Sequence, residues 1–353
     1  MLLNSLRICD PVQTLENIKP YLAQAEITRL ANLTHLDATG IPIYTAIRPM
    51  AKSLSTSQGK AMTAIEAQIG AYMESLEVYF AENAQADILR QKLADNILFI
   101  DPNRLSSGVA YDSDYIHDWV RVHAWINDKP YYIPLSFVCM DTTNRAVLIE
   151  AIDTTGIASG NSFDEALLHS LLECIERQAI GLPAKMVKLD EEHTLYKKLA
   201  MHHYVKISYF PNQFNLPVFA CYIQSKYADE NQMIFSGYGA HLDKEIALNR
   251  ALTEAIQSKV TTIAGSRDDI HKYAYIRQLK KMEIPAHDIV LSDINDKKAH
   301  MVGEGVQMLR GILSKLGLDA LVYTYHQESL VFLKSIIVDS NQLFTRSQSD
   351  KAK

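Results

Sequence analysis

DEALLHSLLECIERQAI, residues 164–180, is the stretch that decides how this chain folds. At helical spacing Glu165, His169, Glu173 and Glu176 share one stripe, while Leu167, Leu168, Leu171, Leu172, Ile175 and Ile180 nearly surround it. A helix that is apolar on most sides is a buried helix. Two glutamates carried into an interior need a metal ion, a proton or a basic partner. A structural ion pair with the adjacent Arg177 would meet that need, and so would a divalent cation.

Two other segments repeat the pattern. The helical stretch over 61–82, which contains AQIGAYMESLEVYFAE (67–82), carries Glu66, Gly70, Glu74 and Glu77 along one stripe, with Met62, Ile65, Ile69, Met73, Leu76 and Phe80 forming the apolar face. DKEIALNRALTEAIQSKVTTI (243–263) carries Arg250, Glu254 and Gln257 along another. In all three, an Ala is followed seven residues on by Glu, and three residues later by Glu or Gln: Ala67/Glu74/Glu77, Ala166/Glu173/Glu176 and Ala247/Glu254/Gln257. Each helix follows a Gly-containing segment that reads as a loop. Carboxylates gathered this way repel unless a positive charge lies among them, and magnesium with a phosphate ligand such as ATP fits that chemistry. Singly, each stripe has an ordinary reading: a solvated Glu face, a buried ion pair, or the helix pair Arg250–Glu254. Gly70 costs a helix interior roughly 1 kcal/mol relative to Ala, which points to a close approach by something else.

The chain has 353 residues, 48% of them hydrophobic, enough for a large core in one domain or two. The reading is one domain over 1–345 and a polar tail at 346–353. A net charge of −6 at pH 7 disfavours general nucleic-acid binding, which relies on Lys and Arg. Cys9, Cys139, Cys174 and Cys221 are scattered, without a CxxC pair, and read as reduced core thiols. No run approaches the roughly 20 apolar residues of a membrane span, and the first residues do not form a signal peptide. The expectation is a cytoplasmic protein that binds neither membrane nor nucleic acid.

Periodicity predicts a helix over 14–24, strands at 27–33 and 43–47, and a basic Ser-rich loop over 48–60 before a helix at 61–82. Further strands are expected at 97–100, 131–139 and 146–152, with the type of 119–125 left open. A Gly- and Asn-rich turn is read at 154–162, followed by a helix at 163–180. Strands at 205–210 and 218–224 are expected as antiparallel neighbours, then a GYGAH loop at 237–241 and a helix at 243–263. More helices fall within 270–325, with strands near 321–325 and at 330–338. The fold class is α/β, with pseudo-repeated βα units.

Lys60, in SQGK, stands beside a Gly at a helix start, but a P-loop would need an earlier Gly and a Ser or Thr after the Lys. It can still neutralise phosphate, as can Arg48. His202 and His203 precede a strand and read as surface residues. Arg267, in GSRDD, can reach a phosphate or remain a surface residue. No Ser–His–Asp or Cys–His set is present, so no catalytic residue is assigned.

Four ordered stretches then resemble the YcaO-domain family, and the stand-alone type associated with a TfuA partner: ITRLANLTHLDATGIPIYTAIRP (27–49), SLSTSQGKAMTAIEAQIGAYMESLEVYFAE (53–82), GIASGNSFDEALLHSLLECIER (156–177) and HLDKEIALNRALTEAIQSKVTTIAGSRDD (241–269). The resemblance implies a YcaO-like fold around one nucleotide site, with ATP and Mg2+ as cofactors. It implies activation of a peptide backbone amide by O-phosphorylation, giving a thioamide with an external sulfur source or an azoline by cyclodehydration. By position, Glu74, Glu77, Glu173, Glu176 and Glu254 resemble the magnesium ligands. Lys60, Gln257 and Arg267 fall near the nucleotide, and Arg7 and Thr14 resemble the basic and hydroxyl residues brought to it. Partners implied are a peptide or protein substrate, a TfuA-like protein and a second copy in a homodimer. The chain departs from the family at Ala61, where GKG is usual, at Gly70, where Ser is frequent, and at Arg250, where some members have Asn. Its end, SNQLFTRSQSDKAK, lacks the proline-rich tail of azoline-forming members, which places thioamidation ahead.

Overall fold

The computed structural model describes residues 5–92, 99–105, 116–144, 152–189, 193–227, 233–265 and 282–343. Most of the strand expected at 146–152, part of that at 97–100, Arg267 and the tail at 346–353 lie outside the described residues. In chain order the elements begin with α1 (Pro11–Gln24), β1 (Arg29–Asn32), β2 (Ile43–Ile47), β3 (Thr56–Lys60), α2 (Ala64–Glu82) and β4 (Ile88–Gln91). Then come β5 (His117–Ala124), β6 (Lys129–Pro134), β7 (Ile157–Gly160), α3 (Phe163–Ala179), β8 (Lys185–Lys188), α4 (Thr194–His202) and β9 (His203–Tyr209). The last are β10 (Val218–Ser225), β11 (Phe235–Ala240), α5 (Lys244–Ile263), β12 (Ile289–Val290), α6 (Val302–Lys315), β13 (Leu318–Gln327) and β14 (Val331–Asp339). This is the mixed α/β content expected.

Two compact units form. The first comprises Met1–Pro49, Leu54–Ser75 and Ile175–Met301. It holds an antiparallel sheet in the order β1-β2-β3 and a second sheet in the order β11-β10-β9-β8-β12. β9 and β10 pair antiparallel, as expected. The core of this unit joins Phe219, Cys221 and Ile223 of β10 to Leu248, Leu252 and Ile256 of α5, with Ile41 and Ile43. The second unit comprises Met50–Ser53, Leu76–Cys174 and Val302–Lys353. Its sheet runs β4-β5-β13-β14-β7, with β6 paired to β5, over a core of Val120, Val122, Ile133, Leu321 and Val338. The aromatic stretch left open in the sequence is β5, where Trp119 is fully buried and its Nε1–H donates to the Gln91 carbonyl at 2.9 Å.

Helix ends follow their chemistry. Asp10 caps α1 by accepting from the Gln13 N–H at 3.0 Å, and Pro11 opens the helix earlier than periodicity indicated. Asp243 caps α5 by accepting from the N–H groups of Glu245 and Ile246 at 2.8 and 3.3 Å.

Three expectations are corrected, all at glycines. The loop over 48–60 ends in strand β3, the turn over 154–162 contains strand β7, and the GYGAH loop is largely strand β11. In each case the strand glycine lies directly under the helix that follows. A Cβ on Gly59 would sit 2.0 Å from the Ala67 carbonyl oxygen and 2.2 Å from the Ala71 nitrogen. One on Gly239 would sit 2.2 Å from the Ala247 carbonyl oxygen, and one on Gly160 2.6 Å from the Ala166 nitrogen. A strand glycine marks close backbone approach, and the repeated Ala of the sequence pattern is the helix side of that contact. Gly70 is explained likewise, since its Cβ would lie 3.2 Å from the Gly59 Cα. A fourth correction is the strand expected at 131–139: β6 stops at Pro134, and Leu135–Phe137 form a short 3-10 turn.

Gly239→Ala is therefore expected to destabilise the protein by about 1–3 kcal/mol or more through overpacking. Gly311→Ala, at an exposed position of α6 with open space around it, is expected to stabilise by roughly 0.5–1 kcal/mol. Urea denaturation of both variants checks the contrast.

Candidate functional site

The Gly–Ala contact sets where the first carboxylate of each helix lands. In β3–α2, the backbone N–H of Gln58, one residue before Gly59, donates to Glu74 Oε2 at 3.2 Å. In β11–α5, the N–H of Tyr238, one residue before Gly239, donates to Glu254 Oε1 at 3.2 Å. Donor and acceptor residues are 16 apart in both. The sequence repeat is thus a geometric repeat down to one hydrogen bond.

Lys60, the last residue of β3, reaches Glu254 Oε2 at 2.8 Å. Glu176 is buried, and the charges of Glu254, Arg250, Arg177 and Lys60 all act on it. Within the first unit, then, the fold brings together Glu74, Glu176, Glu254 and Lys60 with Arg250. Burial pushes the Glu74 carboxyl up to about 7, Lys60 and the Gln58 N–H oppose the rise, and the charge of Glu254 adds to it. Burial and then the charge of Glu254 push Glu176 up to about 7 against Arg250, Arg177 and Lys60. For Glu254, burial raises, but the charge and hydrogen bond of Lys60, the Tyr238 N–H and Arg250 win, and the net shift is downward. Burial and repulsion thus favour protons on two of these carboxyls near neutrality, and a divalent cation can displace protons from such groups.

The other expected residues divide as follows. In the second unit, Glu77 Oε1 accepts from the Ser159 hydroxyl at 2.5 Å. Glu173 is half-buried on α3, and its charge acts on buried Cys174 and Lys334. In the first unit, Thr14 is buried and its hydroxyl donates to the Asp10 carbonyl at 3.0 Å. Arg7 is exposed, and its charge reaches His241. Gln257 Oε1 is buried without a hydrogen-bond partner among the described residues. Cys139, Cys174 and Cys221 are buried free thiols, as expected.

Two readings of basic residues change. Arg48 is buried, its Nε donating to the Ala25 carbonyl at 3.0 Å and Nη1 to the Ser75 carbonyl at 3.4 Å, which gives its guanidinium a structural task. His203 is not a surface residue. It is buried with Asp37 and Lys259, Asp37 Oδ2 lying 3.2 Å from His203 Nε2 and 2.9 Å from Lys259 Nζ. Thr39 donates from both N–H and hydroxyl to Asp37 Oδ1, at 2.8 and 2.6 Å. Burial raises the Asp37 carboxyl, but His203, Thr39 and Lys259 together hold it well below the usual carboxylate range. Lys259 is on α5, two residues after Gln257, so this network ties the carboxylate helix to the segment between β1 and β2. A lone Asp in LTHLDATG and a Lys 222 residues away carry no local signal that they meet.

Buried and half-buried helix carboxylates beside a few cations are chemistry suited to a divalent metal together with a polyanion. The chain belongs to the YcaO family: the family model described as YcaO cyclodehydratase, ATP- and Mg2+-binding, matches residues 58–336. ATP and Mg2+ are the cofactors of that family. A protein of Mycobacterium tuberculosis, named only as uncharacterized, is 34% identical over 288 residues, covering 77% of this chain and 65% of that protein. The chain thus spans about two thirds of that relative. A Rhizobium leguminosarum protein named for its place in the tfuA 3′ region is 29% identical over 309 residues, covering 77% and 70%. Among solved structures, YcaO from Methanopyrus kandleri, bound with AMPPCP and Mg2+, superposes with a TM-score of 0.73 at 17% identity, covering 94% of this chain and 92% of that one. The fold is shared.

The residues present fit the cofactors. Among the described residues no three His, Cys, Asp or Glu side chains are grouped so as to hold a metal ion by themselves, and Mg2+ is usually held by one or two carboxylates plus substrate phosphates. Glu74, Glu176 and Glu254 are the carboxylates that would supply such ligands, and Gln257 Oε1, buried without a partner among the described residues, would offer a nucleotide an acceptor.

In magnesium-free buffer, Lys60→Met is expected to cost about 1–3 kcal/mol, the worth of a charged hydrogen bond, with added Mg2+ restoring most of the loss in urea denaturation. A loss that magnesium leaves untouched would argue against cation binding here. Because the folded pKa of Asp37 is depressed, its stabilisation is complete above the ordinary carboxylate pKa and is lost as pH falls. Asp37→Asn should flatten the decline in stability below about pH 4, measured as melting temperature against pH.

Proposed function

We propose that this protein is an ATP- and Mg2+-dependent enzyme that activates a peptide backbone amide, and that it forms thioamides with an external sulfur donor. The observation that carries the reading is the doubled strand–helix geometry delivering Glu74 and Glu254 beside Lys60, inside the span that matches the YcaO family.

An amide is a poor electrophile and its oxygen a poor leaving group. ATP, when bound, supplies the phosphoryl group that turns the amide oxygen into a leaving group. Glu74, Glu176 and Glu254 hold Mg2+, with Glu77 and Glu173 as further ligands by family position. Lys60, Arg7, Thr14, Gln257 and Arg267 receive the nucleotide. Charges fixed in advance on a buried site stabilise developing phosphoryl charge more than water does. The chain needs no catalytic cysteine if sulfur arrives from outside, and its buried thiols suit that division, since burial pushes Cys174 and Cys221 up and away from the reactive thiolate.

The name of the Rhizobium relative supports a TfuA-like partner. A homodimer acting on a peptide substrate completes the proposal. The second reading is azoline formation by cyclodehydration, favoured by the description of the family model.

Calorimetric titration with MgATP is expected to show binding by the wild type and at least about tenfold weaker binding by Glu74→Gln. No binding by the wild type would sink the proposal. With a candidate peptide, ATP and sulfide, mass spectrometry separates the two readings: sulfur replacing oxygen marks a thioamide, and loss of water an azoline.

A further inference from the structure

His241 stands at the end of β11, two residues before the cap of α5, and is 1% exposed. Its Nδ1 accepts from the Asp243 backbone N–H at 3.1 Å. An imidazole nitrogen that accepts carries no proton, so in the neutral ring the proton is on Nε2. That Nε2–H is buried and finds no acceptor among the described residues. Burial first, then the positive charges of Arg250 and Arg7, push the ring pKa down to about 3. The ring therefore stays neutral, and its tautomer is fixed by Asp243. Arg250 also acts on Glu176 and Glu254, so the histidine belongs to the same electrostatic neighbourhood as the carboxylates. A buried donor without an acceptor among the described residues, on which two guanidinium charges act, is a place where an anionic oxygen gives the donor its acceptor and meets positive potential at the same time.

We propose that His241 is a ligand-binding residue, donating from Nε2–H to a phosphate oxygen of the bound anion alongside Arg7 and Arg250. This rests on reading the site as a nucleotide site. The interaction selects phosphate over the nucleoside part, since adenosine brings no charged acceptor. Asp243 thereby acquires two tasks: its side chain caps α5, and its N–H orients the imidazole.

The test uses the full chain with three probes: MgATP, magnesium tripolyphosphate and adenosine. In long-range 1H–15N spectra of protein labelled at histidine, MgATP and tripolyphosphate are expected to shift the His241 Nε2 signal, and adenosine is not. His241→Leu should bind MgATP about tenfold more weakly, while His241→Gln, whose amide can place an N–H near the Nε2 position, should retain affinity within about threefold. Melting of both variants without ligand separates a binding defect from misfolding, and the spectra of the wild type stand if a variant does not fold. An Nε2 signal unmoved by both phosphate probes overturns the inference, and if MgATP still binds, the nucleotide reading survives. If MgATP does not bind but tripolyphosphate moves the signal, the anion contact stands and the nucleotide reading fails.

Discussion

The close seating of a helix backbone on a strand glycine is the constraint from which the rest follows. Gly59 and Gly239 have no side chain, so the backbones of α2 and α5 come within van der Waals contact of β3 and β11, at Ala67 and Ala247. At that separation, a carboxylate two turns further along the helix reaches a backbone N–H of the strand. Gln58 and Tyr238 supply those N–H groups to Glu74 and Glu254. A larger residue at either glycine or alanine would lift the helix and take the carboxylate out of range. Small residues here are requirements of the acidic residues.

Seating the helices creates an electrostatic difficulty that the surrounding residues resolve only in part. Lys60 pairs with Glu254, and Arg250 acts on Glu254 and Glu176. Glu74 and Glu176 nevertheless remain costly to ionise, because burial dominates their balance. A site meant only for stability would do better with apolar residues of similar volume. By contrast, Asp37 is fully provided with partners, from Thr39, His203 and Lys259. The same unit thus contains one buried charge cluster whose carboxylate is fully partnered and another that a cation and an anionic ligand would complete.

Much of this was legible in the sequence. The three helices, their carboxylate stripes and the burial of α3 follow from periodicity, and the antiparallel pair β9–β10 from two apolar runs with a short connection. What misled was glycine. GKA, ASG and GYGAH look like loop chemistry because glycine is poor in strands, yet a glycine under a helix reads identically in one dimension. The other misses are long-range. Arg48 is spent on carbonyls of Ala25 and Ser75, and His203 meets Asp37 and Lys259, pairings between residues far apart in the chain that leave no local trace. In one dimension His241 reads as part of the GYGAH loop; its one signal, a His two residues before a capping Asp, acquires meaning only once its Nε2 is seen to be buried without an acceptor among the described residues.

The third βα piece shows which part of the repeat is essential. In β7–α3, Gly160 and Ala166 are six residues apart instead of eight, and the helix still packs on the glycine. The side chain of Ser159, one residue before the glycine, donates to Glu77 on α2. At the strand position whose backbone N–H serves its own helix in the other two pieces, the side chain here serves a different helix. What is common to all three is the Gly–Ala approach and the carboxylate seven residues beyond the alanine. A packing contact repeated three times, with a carboxylate at a fixed offset from it, is what one expects if the approach of the two backbones positions the acidic groups.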